Sequence, residues 1–539
     1  MVRLNCALAL LGAASAAMAT TVWPLPEKFI TGSHNTAVGT ISISAVNSTS
    51  YVLKNAISRY TGIINHESFL APVDYRQGII QTNGQLGGLT VAVDSTDETL
   101  CLETDESYVL HVPENGQATL KAHSVYGAVR GLETFSQLIS ANGYARVLRN
   151  TPIYIEDRPV FRHRGILLDT SRNYFPVKDI LRTLDAMSYN KLNVFHWHIV
   201  DAQSWPVESK TFPQLTANGA YGPNMQTFIR YAKDRGIRVI PEFDVPGHTY
   251  IVGMSFPNIM SCMNKQPNWS KYAAEPPSGQ LNIAKPESID FTNRVVREYS
   301  KLFQDQVFHL GGDEVNRNCW NEDPYVRAYL AAHPGEDVEA LLVNFYARVH
   351  SYLEVLGKTA MTWEETLFHS NYTPSKDTII QTWIDEQSIP KTVAKGYRSI
   401  ASPASSYYLD CGHGAWLSDF DGNSWCDPFK TWMHIYNFDP LANITIPAQR
   451  KLVLGGEVAL WAEQSDETVL DSRLWPRAAA MAETMWSGKV NADGHVRTTK
   501  EVASRLHTQR FRMVGRGIGA EPMQPLWCAR NPGNCDLNE

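Results

Sequence analysis

From Phe161 onward the chain alternates short apolar runs with longer amphipathic stretches, and no other feature of its 539 residues restricts the fold as strongly. The runs are Gly165–Asp169, Leu192–His196, Arg238–Phe243, Val307–Leu310, Lys358–Trp363, Thr378–Trp383, Ser399–Ser402 and Leu452–Leu460. Runs this short and this apolar read as parallel strands buried on both faces. Between them Val177–Tyr189, Met225–Arg235, Val338–Leu356 and Ser472–Trp486 read as helices. Eight such repeats predict an α/β fold of the (β/α)8, TIM-type barrel class. A seven-stranded or doubly wound sheet is the alternative. In a barrel, catalytic groups collect at the C-terminal ends of the strands.

The residues before the barrel form a different unit. Strand-like runs occur at 39–44, 89–93 and 108–112, and Val125, Val129, Leu132, Phe135 and Leu138 share one face of a helix. This predicts a small α+β domain over residues 20–158, a catalytic barrel over 159–515 and a tail, 516–539, packed on the barrel. Residues 1–19 read as a secretory signal: Arg3, an Ala/Leu-rich run, and Ala17-Met18-Ala19 as a small-residue cleavage site. No later stretch is apolar for long enough to cross a membrane as a helix.

The net charge is −7 and no basic run occurs, which argues against nucleic acid as a partner. Of eight cysteines, Cys6 lies in the signal; the remaining seven form no C-x-x-C pair, so zinc is not expected. Cys528 and Cys535 could close a small loop. Asn47, Asn268, Asn371 and Asn443 head four N-glycosylation sequons, which fit a glycosylated secreted surface.

The strand ends carry the chemistry. Arg164 stands just before the first run and Asp169 ends it, and the second leads into His196-Trp197-His198-Ile199-Val200-Asp201. The third leads from Glu242 to His248, and the fourth into Gly311-Gly312-Asp313-Glu314. The fifth ends in Trp363-Glu364-Glu365, the sixth in Trp383, the seventh near Tyr408 and Asp410, and the eighth in Trp461 and Glu463. Adjacent carboxylates at the mouth of a buried strand repel each other and lose hydration, which separates a proton donor from an anion. Each residue alone has an ordinary reading: a Gly-Gly turn with a solvated acidic helix start, a Trp in rim packing, an Asp–His hydrogen-bonded pair, a structural Arg, or His196 and His198 as metal ligands. Together, arginine, carboxylates, histidine and tryptophans at strand ends suit a sugar site with flat apolar walls and polar grips for hydroxyls.

These segments resemble glycoside hydrolase family 20, the β-N-acetylhexosaminidases, and most of all its secreted fungal members. The likeness is carried by Arg164 to Asp169, His196 to Asp201, Pro241 to His248, His309-Leu310-Gly311-Gly312-Asp313-Glu314, Trp363-Glu364-Glu365, and Gly455 to Glu463. The first domain and the Arg473-Leu474-Trp475-Pro476-Arg477 segment look similar too. The resemblance implies substrate-assisted hydrolysis, an exception to the two-carboxylate rule. Glu314 would be the general acid and base, Asp313 the anion at the acetamido group, and Asp201 and His248 a relay to Glu314. Arg164 would grip the 3- and 4-hydroxyls, with Glu463 nearby. Trp363, Trp383 and Trp461 would box the acetamido methyl and the ring face. Tyr408 would donate to the acetamido oxygen, and Asp410 would reach the 4- and 6-hydroxyls. Tyr407-Tyr408 stands where many members have Trp-Tyr, which leaves the register open by one.

The disulfides carried over are Cys262–Cys319, Cys411–Cys426 and Cys528–Cys535, with Cys101 as the odd thiol. The resemblance implies no cofactor and no metal. The expected partner is a carbohydrate ending in GlcNAc or GalNAc, such as a chitooligosaccharide, with a homodimer as a candidate assembly. The expected location is outside the cell, with the cell wall or a lysosomal or vacuolar compartment as alternatives. The rival readings are a lacto-N-biosidase, a retaining glycosidase with its own nucleophile, and a sugar-binding protein on an inactive enzyme scaffold.

Overall fold

The computed structural model describes residues 21–46, 49–219, 225–491 and 493–537. The signal over residues 1–19 and the sequon residue Asn47 lie outside them. Eight parallel strands close a barrel: β1 (His163–Asp169), β2 (Val194–Val200), β3 (Arg238–Phe243), β4 (Val307–His309), β5 (Thr359–Trp363), β6 (Ile379–Thr382), β7 (Arg398–Ala401) and β8 (Val453–Leu460). The eight expected runs all become barrel strands, but the second is displaced. It runs from Val194 to Val200, so His196 is no longer its last residue and His198, expected beyond its end, lies within it. The expected helix over Ser472–Trp486 is broken into Leu470–Leu474 and Arg477–Ser487, because Pro476 supplies no backbone N–H.

The barrel interior is layered. Val194, Ile240, Val307, Met361, Ile379, Ile400 and Leu454 form one apolar cluster. Two residues further along the same strands stand His196, Glu242, His309 and Gln381, all buried. Side chains on a strand repeat their facing every second residue, so these form the next layer up.

The first domain is a mixed seven-stranded sheet with helices Tyr51–His66 and Val125–Leu138. The second helix is buried on almost every side because its remaining faces meet the barrel. The seam contains buried ion pairs. Arg164 gives Nη2 to both Glu106 oxygens at 2.7 Å, Nη1 to the Phe161 carbonyl and Nε to the Lys191 carbonyl. Its guanidinium lies 5.0 Å from the Trp486 ring centroid. Arg130 binds the same Glu106, and Lys191 Nζ lies 2.8 Å from Asp157.

This corrects the sugar-gripping role expected for Arg164. As the second residue of β1 it stands at the opposite end of the barrel from Asp169, fully buried, and serves the domain seam. The tail also differs from expectation. Gly519 and Glu521 bond to the barrel through Asp471 and Trp475, but Arg530 of the last helix lies over the ring of Tyr75 in the first domain.

Cys262–Cys319, Cys411–Cys426 and Cys528–Cys535 are bonded, and Cys101 is free. Asn268, Asn371 and Asn443 are exposed. No helix of the described residues is long and apolar enough to cross a membrane.

Replacing Arg164 by Met keeps volume but leaves the Glu106 carboxylate with one guanidinium fewer. Urea unfolding should show a loss of about 3–5 kcal/mol, as for other broken buried pairs. Affinity of the folded fraction for the expected sugar should be unchanged. Weaker sugar binding at full stability would return Arg164 to the site.

Candidate active site

The C-terminal ends of the strands surround a cavity of about 410 Å³. Just after β1, Asp169 Oδ1 accepts from the backbone N–H groups of Ser171 and Arg172. That Asx-type turn folds the chain back and brings Arg172 over the barrel mouth. Arg172 Nη1 lies 2.9 Å from Asp201 Oδ2 and 3.2 Å from Asp169 Oδ2, its Nη2 lies 2.6 Å from Glu275, and its guanidinium lies 5.3 Å from the Trp461 ring centroid. Burial opposes its charge, but Asp201, Glu275 and Asp169 raise its pKa well above the usual value.

Asp201 follows β2 and is fully buried. Its Oδ2 also meets His198 Nε2 at 2.9 Å, and its Oδ1 meets His248 Nδ1 at 3.1 Å. Burial alone would raise its pKa; Arg172, His248 and the bond from His198 outweigh that and hold it well below the carboxylate range. His248, five residues beyond β3, presents Nε2 to Glu314 Oε2 at 3.1 Å. Burial disfavours the imidazolium, yet Asp201, with Glu314 and Asp244, lifts its pKa well above the usual value. His248 and Glu314 both have positive φ, +52° and +50°, conformations costly for residues with a side chain.

The two glycines before Asp313 are required by space. At Gly311, φ +64°, an added Cβ would fall 1.9 Å from Asp244 Oδ1, the oxygen that accepts the Gly312 N–H. At Gly312, φ +102°, it would fall 2.5 Å from Thr366 Oγ1. The turn thereby sets Asp313 beside Asp244. Burial, then the Asp313 charge, raises Asp244 well above the usual carboxylate value. Burial pushes Asp313 up to about 6, with Glu314 and Glu242 adding and His248 opposing. Both carboxyls are thus pushed towards the protonated form, Asp244 the further of the two, so Asp313 is the one that ionises first as pH rises.

Aromatic side chains form the walls. Trp363 is buried and donates Nε1 to Glu242 at 2.8 Å. Trp383 donates Nε1 to Glu365 and stacks on Tyr408, centroids 6.2 Å apart and planes 10° apart. Trp461 lies 6.1 Å from Tyr408 and from Trp363. Tyr408 lines the cavity, whereas Tyr407 turns into the core edge-on to Phe438, which settles the register left open by the sequence. Asp410 and Glu463 line the cavity too; burial raises Asp410 to about 6 and lifts Glu463 well above the usual value. Trp425, on the loop closed by Cys411–Cys426, is 70% exposed at the mouth and edge-on to Trp383.

Among the described residues metal-donor types come together in four groups. Asp201 and Glu275 hold Arg172, Cys411 and Cys426 are disulfide-bonded, and Asp244 Oδ1 accepts from Gly312, while Asp244 Oδ2, Asp313 Oδ1 and His309 Nε2 have no hydrogen-bond partner. Glu242, grouped with His196 and His309 in the barrel core, takes bonds from His198 and Trp363. A larger open groove of about 1280 Å³, between the Tyr51–His66 helix and the outer barrel helices, lies away from the strand ends.

Of the expected site residues, Asp201, His248, Asp313, Glu314, Trp383, Tyr408, Asp410, Trp461 and Glu463 meet in one cavity, with Trp363 beneath it. Sequence reasoning missed Arg172, Asp244, Glu275 and Trp425. For Arg172 a signal existed: it follows a strand end and an Asp turn, whereas Arg164 opens its strand. Glu275 gave none, since a long loop brings it in.

The sequence profile of the glycosyl hydrolase family 20 catalytic domain matches residues 161–489, and a β-acetyl hexosaminidase-like profile matches residues 22–138. The chain is 35% identical over 494 residues to Beta-hexosaminidase 1 of Coccidioides posadasii, covering 85% of this chain and 82% of that protein. It is 38% identical over 467 residues to the chitooligosaccharidolytic β-N-acetylglucosaminidase of Ostrinia furnacalis, covering 81% and 76%. The structure of Flavobacterium johnsoniae chitobiase superposes with a TM-score of 0.75 at 27% identity, covering 93% of this chain and 73% of that one. The chain belongs to glycosyl hydrolase family 20. Its activity is that of a β-N-acetylhexosaminidase acting on carbohydrates that end in GlcNAc.

Arg172 combines a bidentate-capable donor fork with a place on the cavity wall. Arg172→Met should reduce kcat/KM on a chromogenic GlcNAc substrate by at least ~30-fold, the scale of a lost buried charge contact. A Lys at the same position should restore only part of it. Full activity of the Met variant would remove Arg172 from substrate binding.

Proposed function

We propose that the enzyme removes single terminal GlcNAc or GalNAc residues from non-reducing ends, with retention, by attack of the substrate's own acetamido oxygen. The observation that carries this reading is the aromatic box. Trp363, Trp383, Tyr408 and Trp461 enclose a small apolar space beside the Asp313 anion. A methyl group suits the rings, an amide N–H suits the carboxylate, and an amide oxygen suits the Tyr408 hydroxyl. An acetamido group has all three, and closing it onto the anomeric carbon raises effective concentration.

In the first step the acetamido oxygen bonds to C1 and the glycosidic C1–O bond breaks. Glu314 gives its proton to the departing oxygen. Asp313 accepts from the acetamido N–H and offsets the positive charge of the oxazolinium ion. In the second step water attacks C1, Glu314 takes its proton, and the C1–acetamido bond opens. Exo action is supported by placement. Asp410 and Glu463, suited to sugar hydroxyls, are half-buried on the cavity wall, while the Glu314 side chain is 34% exposed where the leaving group must stand. Trp425 at the mouth offers a stacking face for the next sugar, which favours chitooligosaccharides.

Secretion is part of the proposal. It is supported by the signal-like first 19 residues, three disulfides and exposed Asn268, Asn371 and Asn443.

The deciding experiment compares chromogenic GlcNAc, GalNAc and glucose substrates, with a GlcNAc-thiazoline as inhibitor. The glucoside should be inert and the thiazoline should bind at least ~10²-fold more tightly than substrate, because it mimics the cyclic intermediate. A covalent sugar trapped on Asp313 or Glu314 would overturn the mechanism.

Protonation of Asp313 removes the anion the first step needs, so activity should be present above its pKa and lost below. With that pKa near 6, kcat/KM should fall as pH drops through about 6. Asp244→Asn keeps a hydrogen-bond donor in place and should leave this limb where it is. Asp313→Asn should abolish the limb along with most of the rate. A limb that survives in Asp313→Asn belongs to another group.

A further inference from the structure

The second interior layer of the barrel is polar where barrels of this kind are filled by branched apolar side chains. His163 Nε2 meets Glu457 Oε2 at 2.8 Å, and Glu457 Oε1 meets His196 Nδ1 at 2.7 Å. His196 Nε2 stands 3.1 Å from Glu242 Oε2, which meets His198 Nδ1 at 2.7 Å. His198 Nε2 then reaches Asp201, Asp201 reaches His248 Nδ1, and His248 Nε2 reaches Glu314. Imidazole and carboxylate alternate from the barrel interior to the catalytic acid, the His196–Glu242 step being an ion-pair contact without hydrogen-bond geometry. The chain is fitted to its space: a Cβ on Gly165 would fall 2.4 Å from Glu457 Oε2.

From Glu457 onward charges follow the alternation, whereas burial pushes His163 below its usual value. Burial opposes every ion here. Glu457 and Glu242 are nevertheless held well below the usual carboxylate range by their histidines. Against the same burial, Glu457 and Glu242 raise His196 to about 9, and Glu242 and Asp201 raise His198 well above its usual value. Neighbours on every side of Glu242 are accounted for: His196 and His198 from β2, His309 from β4 and Trp363 from β5. Around Asp201 stand Arg172, His198 and His248, with Asp244 and Asp313 within 4.0 Å of His248. Apolar residues of equal volume would stabilise such a core at least as well, so stability does not account for the chain. Its upper end touches the catalytic relay, and that points to function.

We propose that the Glu457–His196–Glu242–His198 ladder is a positioning device, which holds Asp201 oriented and ionised and thereby keeps His248 set against Glu314. Glu242 and His198 are then positioning residues that never touch the sugar. The inference rests on Glu314 being the acid, as proposed above.

The test is Glu242→Gln alone and in an Asp201→Asn background. Outer-shell partners of this kind typically contribute 10–100-fold, so kcat should fall by about that factor with KM changed less than ~3-fold. If Glu242 acts through Asp201, the same substitution in the Asp201→Asn enzyme should cost less than ~3-fold more. Additive losses, or a loss expressed in KM, would overturn the ladder while leaving the acid assignment standing. Failure of the acid assignment shows separately, as a Glu314→Gln enzyme that cleaves poor leaving groups normally. Should the Gln variant not fold, Glu242→Asp keeps the charge and withdraws it from His198, and should show the same split more weakly. Nitrogen-15 histidine spectra of the unaltered enzyme give a readout free of substitution. At pH 7 His196 and His198 should both be imidazolium, and a neutral pair would overturn the proposal.

Discussion

The catalytic end of the barrel depends on one buried anion. Asp201 has no access to solvent, and its charge persists because Arg172, His198 and His248 meet it from three directions. Each of those contacts also fixes its partner. Arg172 is pinned over Trp461 with its fork facing the cavity. His248 is turned so that its second nitrogen faces Glu314. A lone buried carboxylate would neutralise itself by taking a proton; with three cationic neighbours it becomes a fixed reference point for the groups that handle sugar and proton.

The opposite rim solves the same problem for another purpose. Glu106 is buried and ionised between Arg130 and Arg164, burial being outweighed by the two guanidiniums. Lys191–Asp157 and Arg516–Glu133 repeat the arrangement. Apart from Arg130–Glu106, which lies within the first domain, these pairs join the first domain to residues beyond it. The first domain therefore acts as a seal on the barrel base, and none of its described residues lines the cavity at the strand ends. Holding the start of β1 also holds its far end, where Asp169 makes the turn that delivers Arg172.

The strain at the site fits this division. His248 and Glu314 occupy left-handed backbone conformations, and Gly311 and Gly312 yield their side-chain space to Asp244 and Thr366. These departures from easy local structure fall on residues that line or border the cavity, and the barrel around them supplies the compensating order.

Much of this was legible along the chain. Period and apolar run length located eight barrel strands, because a strand buried on both faces must be apolar throughout, and the carboxylates and tryptophans beyond those runs stood out for lack of a packing reason. Direction along a strand was harder to use. Arg164 and Arg172 are eight residues apart in one segment, and only the pairing of β1 with its neighbours shows that one stands at the base and the other at the mouth. His196 and His198 could not be told from metal ligands or rim groups until the register placed them inside the barrel beside Glu242 and Glu457. The sequence by itself determined which elements form and which residue types are available for chemistry, since both depend on local spacing and composition. Which arginine stands at the cavity, how far Asp244 and Asp313 are pushed towards the protonated form, and what stands behind Asp201 and His248 were decided by tertiary structure alone. Desolvation and charge pairing arise from neighbours distant in the chain, and no local pattern encodes them.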